Sequence, residues 1–346
     1  MIGMTRAALT LALVLLLGSL ATAEEATPYH VSLKVALGVP DRWDYVTYDG
    51  SSQRVYVSHG DGISVIDGRN GMHVGELKGM PGGTHGIAIV PSLHRGYTDD
   101  GRAGEAVSFD TQTLAVRKHI KADADADAVV FDPASGHVFV VNGDSGTLTV
   151  IDPAADAAVG TVQAGGKLEF AVADGSGALF VNGAERREVL RVDTRRNLVD
   201  ARWPVADCES PHGLAMDVNT RRLFVSCVNQ RLVVVDARGG AVVASLPIGR
   251  GTDAAAFDPV RKLVFSSNGR DGTLSIIRER SADDFVAVAE LKTQVTARTM
   301  SLDPKSGRLY LAAAELDPNA PAPTPGVRRP PPILPGSLSV LFLDPR

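Results

Sequence analysis

The stretch Ala128-Val129-Val130-Phe131-Asp132-Pro133, followed by His137-Val138-Phe139-Val140, decides the fold. An apolar, β-branched run ends on Asp-Pro, a turn follows, and a second apolar run carries an aromatic seven residues after the Asp. Short runs of this kind, bounded by Gly, Asn, Asp and Pro, are strand–turn–strand signals. The pattern recurs at Tyr45–Asp49 with Tyr56, Leu214–Asp217 with Phe224, Ala255–Asp258 with Phe265, and Met300–Asp303 with Tyr310. Val90 replaces the Asp before Tyr97, and the turn between Asp174 and Phe180 is shorter. Seven aromatics therefore mark the chain at Tyr56, Tyr97, Phe139, Phe180, Phe224, Phe265 and Tyr310, spaced 41 to 45 residues apart.

Each unit continues with a third strand: Ile63–Asp67, Ala106–Asp110, Leu148–Asp152, Val189–Asp193, Leu232–Asp236, Leu274–Ile277 and Leu338–Leu343. A fourth follows in six of the seven, as at Ala157–Val162, Ala241–Leu246 and Phe285–Leu291. Four strands per unit of roughly 40 to 45 residues is the pattern of a propeller blade. The expected fold is all-β, a seven-bladed β-propeller of four-stranded antiparallel blades spanning residues 24–346 as one domain. The seventh unit lacks an outer strand at its C-terminal end. His30–Leu37, ahead of the first repeat, is placed to supply it and close the ring, which removes exposed strand edges.

Arg6, the apolar run Ala7–Leu17 and Ala21-Thr22-Ala23 together read as a cleaved secretory signal over residues 1–23. The expected location is periplasmic or secreted, with no membrane span after cleavage. Residues 317–336 hold eight of the 20 prolines and form a Pro-rich insertion between the second and third strands of blade seven. They read either as a solvated polyproline loop or as a lid or docking arm.

Composition narrows the functions. The formal charge is −5, so no nucleic acid is expected as a partner. There is no Gly-x-Ser-x-Gly elbow, phosphate loop or dinucleotide fingerprint. Two cysteines exclude a zinc ribbon, and in an oxidising compartment Cys208 and Cys227 are expected to pair once the incoming loop folds back, the alternatives being two free thiols or Cys227 as a soft metal ligand beside His212.

Counting back five residues from each strand-ending Asp gives one equivalent position per blade, at the channel mouth. It holds Asp44, His85, Asp127, Glu169, His212, Asp253 and Arg298, every one ionisable. Three residues after each aromatic, His59, Asp100, Asn142, Cys227, Asn268 and Ala313 are expected to return to that face, with Asn182 one place earlier. Three readings follow. The ring is a hydrated, internally paired funnel. Or it binds a metal, calcium, magnesium or zinc, through His59, His85, His212, Asp44 and Glu169. Or it holds a small ligand without metal, through Trp43, Asp44, Asp127, Asp253 and Arg298. Catalysis would add Glu169 or His212 as general base and Arg298 as oxyanion stabiliser.

The segments Trp43-Asp44-Tyr45, His85-Gly86-Ile87-Ala88, Asp253–Pro259 and Ala297-Arg298-Thr299-Met300 resemble the YncE-like, YVTN-repeat propeller family. Phe139-Val140-Val141-Asn142 and Phe180-Val181-Asn182 are similar to its Tyr-Val-Thr-Asn strand, so the resemblance spans residues 30–346. It implies the propeller fold and a range of roles among binding proteins, surface-layer proteins and lactonase-like or lyase-like enzymes. The expectation is a monomer that binds a small molecule at the charged mouth. The alternatives are a metal-dependent hydrolase or lyase, and a non-catalytic scaffold docking a partner protein on the same face.

Overall fold

The computed structural model describes residues 28–38, 42–320 and 332–346. Residues 1–23, expected to be a secretory signal, and the middle of the Pro-rich insertion both lie outside the described residues. The strands form seven four-stranded sheets, antiparallel throughout, six of them paired in sequence order. Blade three is typical: Ala126–Asp132 innermost, then His137–Asn142, Thr147–Asp152 and, outermost, Ala157–Gln163. Blade seven is composite. Thr299–Leu302, Leu309–Ala313 and Ser339–Pro345 come from the C-terminal end, and Tyr29–Ala36 is its outer strand. That strand pairs antiparallel with Ser339–Pro345, from Tyr29 opposite Pro345 to Ala36 opposite Ser339, which is the expected closure.

The recurring Asp has a structural cause. Its carboxylate accepts backbone N–H groups of the turn that follows: Ser51 to Asp49 at 2.9 Å, Ser135 to Asp132 at 3.0 Å, Asn219 to Asp217 at 2.8 Å, Val260 to Asp258 at 2.9 Å. The third strands end the same way, with Gln112 bonded to Asp110 and Ala154 to Asp152. Asp side chains stabilise such turns by imitating a backbone carbonyl. Where Val90 stands instead, a short 3-10 turn at Pro91–Leu93 makes the corner.

The seven marker aromatics are each at most 1% exposed and pack between blades. Tyr56 and Val65 of blade one meet Val107 and Phe109 of blade two, and Tyr97 meets Val138 and Val140 of blade three. Tyr29, Leu341 and Leu343 pack on Phe265 of blade six, while Tyr310 and Phe342 pack on Val57 and Ile66 of blade one. The core is thus a closed series of sheet-on-sheet contacts. Outer strands such as Val116–Lys121 are mostly exposed, so amphipathic runs there carry few apolar residues.

Cys208 and Cys227 form the expected disulfide, with Cα atoms 5.3 Å apart. The loop carrying Cys208 folds back onto the end of the second strand of blade five, where the Val228 N–H donates to Glu209 O at 3.0 Å. Cross-linking residues 19 apart removes freedom from the unfolded chain worth about 3 kcal/mol. Cys208→Ser is therefore expected to lower the urea midpoint by that equivalent, with any change in slope an increase as the unfolded chain expands. A midpoint unchanged within error would show that the bond adds nothing.

Candidate functional site

Inner strands of successive blades touch one another around the channel. Cross-links at the seam are direct: Thr299 Oγ1 donates to Asp44 O at 2.5 Å, and the Tyr48 N–H to Ser301 Oγ at 3.0 Å. In five blades the pairing of the inner with the second strand slips near its start. The slips lie between Trp43 and Val46, Ala126 and Val129, Leu168 and Ala171, Pro211 and Leu214, and Thr252 and Ala255. Asp44, Asp127, Glu169, His212 and Asp253 each fall inside a slip. A bulge leaves its extra residue outside the ladder and re-aims its side chain. All five line one cavity of about 70 Å³, together with Tyr45, Phe170 and Thr299.

Gly86 and Gly213, each just after a ring histidine, permit this convergence. A Cβ on Gly86 would lie 2.4 Å from Asp127 O, and one on Gly213 2.4 Å from Ala254 C, so neighbouring inner strands approach only because these positions lack one.

The charges are linked around the rim. Arg298 Nε lies 2.9 Å from Asp253 Oδ2, and its terminal nitrogen 3.5 Å from Asp44 Oδ2 while donating to Trp43 O at 2.8 Å. His212 Nδ1 is 3.1 Å from Asp253 Oδ1 and 3.8 Å from Glu169 Oε2. Burial raises the pKa of Asp44, Asp127 and Glu169, Asp127 most plainly because Asp44 adds like charge beside it. For Asp253 burial pulls the same way, but the His212 hydrogen bond and Arg298 outweigh it and hold the carboxyl below its usual range. His212 is raised: burial opposes its charge, and Asp253 and Glu169 overcome that.

His85 belongs to a separate pair. Its Nδ1 lies 2.7 Å from Asp99 Oδ2, and its backbone N–H donates to Asp99 Oδ1 at 2.8 Å. The Asp99 carboxylate is fully buried. Burial pushes Asp99 up to about 7. Burial works against His85 as well, yet the Asp99 hydrogen bond and charge lift it to about 9. The pair therefore keeps a proton across neutrality.

Asp99 is the residue that sequence reasoning passed over. The position on the second strand that bonds the inner strands lies two residues after the aromatic, where Ser58, Asp99, Asn182, Ser226 and Ser267 form a polar belt. Ser58 Oγ donates to Tyr45 O at 3.2 Å, Asn182 to His212 O at 2.7 Å, and the Gly213 N–H to Ser226 Oγ at 3.1 Å, while Ser267 bonds Arg298 O. In blades one, two, five and six the expected position, three residues after the aromatic, is therefore one place late, while Val141 and Ala312 hold the belt position in blades three and seven. A one-residue slip in a strand turns every side chain to the other face. A polar residue at a fixed place in an otherwise apolar strand, which must find a partner when buried, was the available signal.

The same slip corrects two site expectations. His59 does not reach the mouth: its ring bonds Ser64 Oγ at 2.9 Å and Glu76 at 3.2 Å within blade one. It is thus separated from the other four residues of the expected metal set. Asn142 and Asn268 likewise bond Thr147 and Thr273 of their own blades. Trp43 is buried in the cluster between blades one and seven rather than lining the mouth; its ring backs Arg298 at 5.5 Å. Among the described residues no group of three or more His, Cys, Asp or Glu is arranged to hold a metal ion. Nor is any helix there long and apolar enough to cross a membrane.

The chain is a seven-bladed β-propeller with a polar channel mouth of predominantly acidic groups. No protein-family model and no curated protein matches it in sequence. Solved structures do share its architecture. Hydrazine synthase of Kuenenia stuttgartiensis is similar with a TM-score of 0.67 at 15% identity, over 81% of this chain and 94% of that one. A chain of the mitotic checkpoint complex is similar with a TM-score of 0.73, also at 15% identity, over 95% and 98% of the respective chains. At such identity the likeness establishes fold and not activity.

Proposed function

We propose that the protein is a ligand-binding propeller that captures a small, positively charged molecule at its mouth. The observation that carries this reading is Asp127. Its carboxylate lines the cavity without a hydrogen bond or ion pair to any described residue, and Glu169 beside it has only His212 at 3.8 Å. Carboxyl groups short of counter-charge, in a cavity floored by aromatic rings, favour an ammonium-type guest. Arg298 is engaged by Trp43, Asp44 and Asp253, which supports binding over the hydrolase or lyase alternative, since that role needs an open guanidinium. An exported setting belongs to the same proposal, supported by the disulfide.

Calorimetric titration with ethylammonium tests it. Binding is expected, with affinity rising as pH increases through the raised carboxyl range, because the cation favours ionised Asp44, Asp127 and Glu169 and displaces their protons. Asp127→Asn is expected to weaken binding by about tenfold or more, the loss of one desolvated charge contact. Absence of ethylammonium binding, or an unaffected variant, would overturn the assignment. Calcium, magnesium and zinc titrated alike give the metal expectation its own test.

A further inference from the structure

Below the mouth the channel continues as a second cavity of about 250 Å³ whose walls change character, with Val46, Ile87, Val129, Ala171, Ala256 and Met300 among its lining residues. Tyr45 and Phe170 line both cavities. Their rings face each other from blades one and four with centroids 5.1 Å apart and planes inclined by 31°. This aromatic pair divides the channel into a small acidic chamber and a larger apolar one. Both rings follow bulged mouth residues, Asp44 and Glu169, so the distortion that aims the acids also sets the partition.

The two chambers are complementary halves of one shape. A ligand confined to the mouth would leave the larger and mostly apolar volume beneath it unused, while its lining, with Thr47 and Ser301 the exceptions beside Tyr45, favours a hydrocarbon guest over water. We infer that the channel is the second half of the binding site, and that the ligand is an amphiphilic amine. Its ammonium group sits among the mouth carboxylates, and its alkyl or aryl tail reaches the apolar chamber when Tyr45 and Phe170, whose rings touch across the channel, turn aside. The head-group half rests on the cation-binding reading above; the tail half rests on different residues. Alanines at Ala171 and Ala256 leave the chamber its volume.

A series of n-alkylammonium ions from ethyl to octyl, titrated calorimetrically into the whole protein, separates the two halves. Each methylene removed from water is expected to strengthen binding about fourfold until the chamber is filled. Ala256→Leu, which fills the chamber, is expected to collapse the hexylammonium-to-ethylammonium affinity ratio toward one. Ala171→Leu does the same from blade four and serves if the first variant fails to fold. Ethylammonium binding with a flat series, or a ratio unchanged in a folded filled variant, overturns the tail chamber and leaves the cationic mouth standing. No binding at any chain length overturns both.

Discussion

A chain lacking Tyr29–Ala36 is expected to lose its cooperative unfolding transition and to aggregate. The strand is a closure device: removing it leaves Ser339–Pro345 as an unpaired edge whose neighbours in the ladder include Val340, Leu341, Phe342 and Leu343. It also removes Tyr29, a fully buried ring that packs edge-on against Phe265 at 5.1 Å and donates to Gly307 O at 2.9 Å. Loss of one such ring costs about 3 to 5 kcal/mol. Against a total stability of about 5 to 15 kcal/mol, that loss and a missing ladder leave little or none. Thermal melts and light scattering of the truncated chain provide the check. An unchanged, reversible melt would mean that the ring holds without this strand.

Replacing His85 by alanine is expected to cost about 3 kcal/mol near neutral pH. Asp99 is fully buried and His85 is its counter-ion, so the variant strands a carboxylate that water does not reach. The pH dependence has a definite sign. The folded pKa of His85 is about 9, above its ordinary 6.5, so its stabilising contribution is complete below about 6.5 and is lost as pH rises through about 9. That component of the decline should be absent from the variant. Urea midpoints at pH 5, 7 and 9 measure both effects, and a variant as stable as the parent at pH 7 would remove the pair from the account. Asp99→Asn retains an acceptor for the His85 N–H, and is expected to return the imidazole pKa, read by NMR, toward 6.5.

Much of the molecule is legible before folding because its determinants are local. A turn-capping Asp, β-branched runs and an aromatic at constant spacing specify each strand–turn–strand unit, and repetition specifies their number. The composite seventh blade follows from a missing outer strand and a spare one. The Cys208–Cys227 bond follows from two cysteines near one strand and its incoming loop. Five of the seven mouth positions, Asp44, Asp127, Glu169, His212 and Asp253, are readable, because a fixed distance back from the capping Asp holds when the inner strands share a length.

The rest depended on geometry that no local pattern encodes. Strand alternation sends neighbouring residues to opposite faces, so whether His59 or Ser58, Asp100 or Asp99, bonds the inner strands turns on a register of one residue that only the paired sheet defines. The bulges that aim Asp44, Asp127, Glu169, His212 and Asp253 inward are visible only in the pairing of each inner strand with the second, not in the strand's own sequence. Tyr45 and Phe170 are 125 positions apart in the chain and meet only because the ring closes. The sequence by itself determined seven blades, their closure and the ionisable character of the mouth. Tertiary structure alone decided which charges pair, which remain free and where the channel is divided, because those outcomes depend on distances across the channel rather than along the chain.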